Sequence, residues 1–95
     1  MEVDVRIEFF RENDLIVALC PELQVSSFGE TLEEAERSIR EALDLFIEGC
    51  ESMGTLKDVL EEAGFEYQDN KWISRRPVRI SQQTFQLSGE FNLYA

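Results

Sequence analysis

Thr31 stands three residues before Glu34, at the head of a long apolar stripe, and this feature constrains the fold more than any other. A hydroxyl and a carboxylate at that spacing form a capping box, each satisfying an amide that a helix start leaves without a partner. Leu32, Ala35, Ile39, Ala42, Leu43 and Phe46 then recur at helical spacing on one side. Glu33 can pair with Arg37, and Glu36 with Arg40, on the other. Such surface pairs are each worth only about 0.3–0.5 kcal/mol, so the buried stripe decides the helix. Gly49 is its expected stop. A helix of this kind needs a flat apolar partner, and the residues before it supply one.

Val3, Val5, Ile7 and Phe9 alternate with Glu2, Asp4, Arg6 and Glu8, the period of a half-buried strand. Arg11-Glu12-Asn13-Asp14 is a polar break, and Leu15 to Leu19 is continuously apolar. The two runs predict a hairpin whose second strand is the more deeply buried. Pro21 cannot donate to a ladder, so that strand ends near it. Gln24 to Phe28 is a third short extended segment, with Val25 and Phe28 its only large apolar groups.

Beyond the main helix the same grammar repeats on a smaller scale. Thr55 and Asp58 have capping spacing, Leu56, Val59, Leu60 and Ala63 form a stripe, and Gly64 falls where a left-handed cap belongs. Phe65 and Tyr67 alternate, Asp69-Asn70 suggests a turn, and Trp72-Ile73 can return as a strand. Trp72 reads as a packing residue, with ligand stacking as the alternative. Phe85 and Leu87, then Phe91 and Leu93, alternate on either side of Gly89 like one or two late strands. The expected fold is therefore α+β: a small antiparallel sheet, made of a three-strand meander plus a late strand, with the main amphipathic helix on one face and a second short helix.

Ninety-five residues make one domain with a modest core, since 43% of them are apolar and 31% charged. Association would bury more surface, so a homo-oligomer, dimer or tetramer, is expected. The net charge is −11, unevenly spread. From Lys71 onward four cations face one acid, a net of +3, so the first 70 residues carry −14. This divides the chain into an α+β unit over 1–70 and a basic C-terminal strand or tail over 71–95, either part of the same domain or an oligomer interface. Arg75, Arg76 and Arg79 could form an arm for nucleic acid, or lie solvated against their own acidic domain.

Histidine is absent, which removes Ser-His and Cys-His catalysis and imidazole zinc sites. No glycine-rich phosphate loop or calcium loop pattern occurs, and no cofactor is expected. Cys20 and Cys50 fit neither a disulfide framework nor a metal knuckle and read as small buried hydrophobes. The acidic Met1-Glu2-Val3-Asp4 does not suit a secretory signal, and no apolar run reaches the roughly 18 residues of a membrane span. The expected location is cytoplasmic, with no membrane contact.

The stretch "VALCPELQVSSFGETLEEAERSIREALDLFIE", Val17 to Glu48, resembles the N-terminal domain of HicB-type antitoxins. The shared order is an apolar strand, Cys20-Pro21-Glu22-Leu23, a short strand, Gly29-Glu30-Thr31, and Glu33-Glu34-Ala35 opening an amphipathic helix. With the preceding strand the likeness covers residues 3–48. It implies a small α+β fold, described in that family as a partly degraded ribonuclease-H-like sheet with a helix packed on it. It also implies a partner: HicA, a small ribonuclease toxin with a catalytic histidine, whose active site HicB-like domains cover. Gln24-Val25 stands where family members often have Pro-Gly. The 25 residues after Asn70 are too few for a helix-turn-helix, and "ISQQTFQLSGEFNLYA" shows no helices for a ribbon-helix-helix. Operator binding is therefore not implied.

Taken together, these readings predict a non-enzymatic HicB-like antitoxin-type protein that binds and occludes a small basic HicA-like ribonuclease. Opposite charge would draw the two together at long range. Glu22, Glu30 and Glu33 are the candidate contact residues, at the junction of strand and helix. One alternative is a free-standing oligomeric nucleic-acid accessory or scaffold acting through its basic tail. Another is a residual magnesium-dependent ribonuclease-H-like nuclease, for which three or four acids must converge; Asp4 and Glu8 lie on one strand face and Glu22 in a loop, so spacing shows no such convergence.

Overall fold

The computed structural model describes residues 1–89, and in it the N-terminal segment alternates as expected but changes sheet part-way. β1 (Glu2–Asp4) pairs in parallel with β6 (Lys71–Ser74), whereas β2 (Glu8–Glu12) pairs antiparallel with β3 (Leu15–Cys20). β3 pairs in turn with β4 (Val25–Gly29), and β6 with β5 (Phe65–Gln68). The fold is α+β, but the strands form two three-stranded sheets, β1-β6-β5 and β2-β3-β4, rather than one antiparallel sheet with a late addition. Side-chain alternation could not reveal the break. Val3, Val5 and Ile7 all pack against the core in unbroken phase, while the backbone exchanges hydrogen-bonding partners beneath them.

Asn13 and Asp14 make the hairpin turn between β2 and β3, with Asn13 at φ 55°, a left-handed conformation that asparagine tolerates. The turn after Pro21 closes through a hydrogen bond from the Gln24 amide to the Pro21 carbonyl, 3.3 Å.

Helix α1 (Leu32–Met53) begins at its expected cap: the Glu34 amide donates to Thr31 Oγ1 at 3.1 Å. The reciprocal half of the box is displaced by one residue, because Glu34 Oε2 accepts from the Glu30 amide, 2.8 Å, and not from Thr31. The helix does not stop at Gly49. Cys50 extends the buried stripe by another turn, and the end comes at Gly54, φ 70°, followed by a hydrogen bond from the Thr55 amide to the Cys50 carbonyl. Neither Glu33–Arg37 nor Glu36–Arg40 closes into an ion pair.

Helix α2 (Leu56–Glu62) lacks the side-chain cap its sequence suggested: Thr55 Oγ1 instead donates to the Cys50 carbonyl at 3.4 Å. Gly64 leaves the helix at φ 92°, and Asp69-Asn70, both at positive φ, turn β5 back into β6. Tyr67 and Trp72 face each other across that hairpin with ring centroids 5.3 Å apart. Trp72 is buried, a packing residue.

Both sheets and both helices share one core. Ile16, Ala18 and Cys20 from β3 meet Ala35, Ile39 and Leu43 from α1, and Leu60, Phe65 and Trp72 complete it. Cys20 and Cys50 are free and buried. The change in charge at Lys71 does not coincide with the limit of the folded body, because Lys71–Ser74 is the central strand of its sheet. Residues 75–89 are exposed throughout and form no helix or strand, so the late strand expected at Phe85 and Leu87 is not formed; Phe91 and Leu93 lie outside the described residues. Among the described residues no helix is long and apolar enough to cross a membrane.

Candidate interaction surfaces

The structure does not gather Glu22, Glu30 and Glu33 into one rim. Glu22 sits in the turn before β4 and Glu30 directly after it, so a five-residue strand, about 16 Å of chain, separates them. Glu22 is also engaged. Its Oε1 lies 3.2 Å from the Arg6 guanidinium, its side chain is only 15% exposed, and its Oε2 is buried without a partner. Arg6 reaches Glu8 as well, at 3.6 Å. The cluster pins the β3–β4 turn to the link between β1 and β2. Glu30 and Glu33 are exposed beside the helix start, while Glu34 spends its carboxylate on the cap.

A longer acidic surface lies elsewhere on α1. Glu41, Asp44, Glu48 and Glu51, spaced by three and four, form an exposed stripe with Leu45 beside it. Glu48 and Glu51 approach the C-terminal end, where the helix dipole is negative, and the last turn holds no cation to offset them. These carboxylates weaken the helix they stand on.

A second surface is apolar. Register places Phe10, Val17 and Phe28 side by side on the face of the β2-β3-β4 sheet that α1 does not cover. Phe10 is 50% and Phe28 62% exposed. Leu15 and Leu19 lie on the same face of β3, and Glu8 and Glu12 line its β2 side. β3 is more deeply buried than β2, as expected, but only through Ile16, Ala18 and Cys20 on its core face. Phe10 was the available signal, since it occupies a position that alternation assigns to polar residues.

The arginines of the C-terminal segment divide. Arg75 lies 3.8 Å from Glu66 of β5, whereas Arg76 and Arg79 are exposed and form no ion pair among the described residues. Asp4, Glu8 and Glu22 are likewise dispersed. Asp4 pairs with Lys71 at 3.3 Å, Glu8 and Glu22 pair with Arg6, and among the described residues no three metal-binding side chains converge. Burial, aided by the nearby charge of Glu22, pushes the Cys20 thiol up from its ordinary range, which makes it a poor nucleophile.

Comparison with family models, curated proteins and solved structures finds no match to this chain.

Proposed function

We propose that the chain is an HicB-like antitoxin-type protein, not an enzyme, that binds a small basic HicA-like ribonuclease and covers its active site. The observation that carries this reading is the acidic stripe of α1, whose carboxylates close no ion pair among the described residues. Four carboxylates line one helix flank, and Glu51 stands in the last turn, where it opposes the helix dipole, so helix stability does not account for it. A groove built to hold phosphates is cationic, and a surface of this charge competes for it. Glu30 and Glu33 extend the acidic surface toward the helix start. Glu22 is assigned a structural role instead. The order of motifs from Cys20 to Ala35 supports the same family, and a cytoplasmic location follows from this reading.

The test is inhibition of a small basic ribonuclease of this toxin class by the purified protein, titrated at low and raised salt. Inhibition that weakens with salt, and is lost in Glu41→Lys/Glu48→Lys but retained in Glu22→Gln, supports the reading. No inhibition, or inhibition indifferent to salt and to the α1 variants, overturns it.

Arg76 and Arg79, exposed and without an ion pair among the described residues, favour a second reading in which the protein is a nucleic-acid accessory. An electrophoretic shift abolished by Arg76→Ala/Arg79→Ala would support that alternative. Hydrolysis of RNA that requires magnesium would support the nuclease reading, which has the least geometric support.

A further inference from the structure

Two features of the molecule are incomplete in a single copy, and they are complementary. The first is the uncovered face of β2-β3-β4, where Phe10, Val17 and Phe28 form an apolar row on an otherwise acidic body. β4 is also an edge of its sheet, β2 being the other, and among the described residues no strand pairs with it on the side away from β3. The second is the segment after Ser74. Residues 75–89 hold three arginines and no acid, while residues 1–74 hold six cations against nineteen acids. The segment exposes Val78, Ile80, Phe85 and Leu87 without covering any of them.

The segment is also poorly suited to fold back on its own body. Pro77 fixes its own φ and holds Arg76 extended. From Arg75 to Leu87 there is no glycine, asparagine or aspartate; the turn-forming residues are Pro77 and Ser81, and the chain bends once, at Val78. Thirteen extended residues reach roughly 40 Å, well beyond the sheet from which they depart. Thr84-Phe85-Gln86-Leu87 has the alternation of a strand.

We propose that the C-terminal arm of a second copy of this chain adds to the free edge of β4, so that its Phe85 and Leu87 extend the Phe10–Val17–Phe28 row. The exchange is reciprocal, giving a two-fold dimer in which each body receives its partner's arm. Main-chain pairing satisfies both edges, and the apolar row is continued across the junction. The arginines settle on a body of opposite charge. This interface uses a face that the acidic stripe of α1 does not share, and it stands independently of the toxin reading.

The 95-residue chain is examined by sedimentation velocity and native mass spectrometry, together with the face variant Phe28→Glu and the arm variant Phe85→Glu/Leu87→Glu. Phe28→Ser, a milder change at the same position beside the edge, serves as a second face variant, and circular dichroism checks that each remains folded. The wild type should show twice the chain mass of 11.0 kDa, and each variant alone the single mass. Mixing a face variant with the arm variant should restore a dimer containing one chain of each, because one intact arm then meets one intact face. A monomeric wild type overturns the proposal. So does a dimer that survives the arm substitutions, which would mean that sheet faces meet directly. So does failure of the mixture to form the heterodimer.

Discussion

Gly29 approaches Ala35 so closely that a β-carbon on the glycine would stand 2.5 Å from the Ala35 amide nitrogen and 2.8 Å from the Glu34 carbonyl carbon. The last residue of β4 and the first turn of α1 are thus in direct backbone contact. Gly29 does not have positive φ, so its requirement is for space rather than for an unusual conformation. Gly29→Ala should destabilise the protein by about 3 kcal/mol, the upper end for an overpacked site, because backbone cannot rotate away as a side chain can. Urea unfolding measures this. Adding Ala35→Gly should not restore the loss, since the collision is with the peptide backbone and not with the alanine methyl.

Gly49 presents the opposite case. It lies inside α1 with open space where a β-carbon would go. Gly49→Ala should therefore raise stability by about 0.5–1 kcal/mol, the difference in helix cost between the two residues. A rise in thermal midpoint with an unchanged circular dichroism spectrum is the expected result; a fall would mean that this glycine has a packing role.

These two glycines show where local sequence suffices and where it does not. Thr31, Glu34 and the Leu32-to-Phe46 stripe located α1 because a cap and a helical period are encoded within a few residues. Gly49 resembled a stop until Cys50 proved to be one more buried position. The exchange of sheets at Val5–Ile7 left no trace, because side-chain alternation is blind to which strand accepts the hydrogen bonds. The ion pair of Glu22 is hidden in the sequence for a related reason. Its partner Arg6 lies sixteen residues earlier, and only the fold brings the two within 3.2 Å. The exposed row of Phe10, Val17 and Phe28 needed strand register, which no single segment contains.

Arg6 and Glu22 should respond asymmetrically to substitution. Arg6 is 59% exposed and can be rehydrated if its partner is lost, whereas Glu22 at 15% cannot. Arg6→Gln leaves a mostly buried carboxylate with one oxygen already unpartnered, and should cost about 1–2 kcal/mol. Glu22→Gln removes the charge that needs neutralising and should cost less than half as much. Equal losses in urea unfolding would show that the pair acts only through its mutual attraction.

Cys20 is fully buried, and burial is the main cause of its raised pKa. Below the ordinary thiol value of 9.0 the neutral form is present whether the chain is folded or not, and the burial contributes its full stability. As pH climbs above that value the unfolded chain ionises first, so this contribution declines. Native protein at pH 8 should resist alkylation at Cys20 and become reactive only when unfolded, and Cys20→Ala should reduce the loss of stability seen on moving to more alkaline pH. Rapid labelling of the folded chain at pH 8 would contradict this assignment.

Glu48 and Glu51 offer a test in which stability and binding move in opposite directions. A lysine near the end of α1 complements the dipole that the native carboxylates oppose, so Glu51→Lys should stabilise the helix by about 0.3–1 kcal/mol at low salt. Glu48→Lys, a turn earlier, should act in the same sense but more weakly. If the acidic stripe exists for a cationic partner, the same two substitutions should weaken inhibition of a small basic ribonuclease even as the thermal midpoint rises. Should binding persist undiminished in the stabilised double variant, the stripe would be a solvated surface only, and the contact would have to be sought around Glu30 and Glu33.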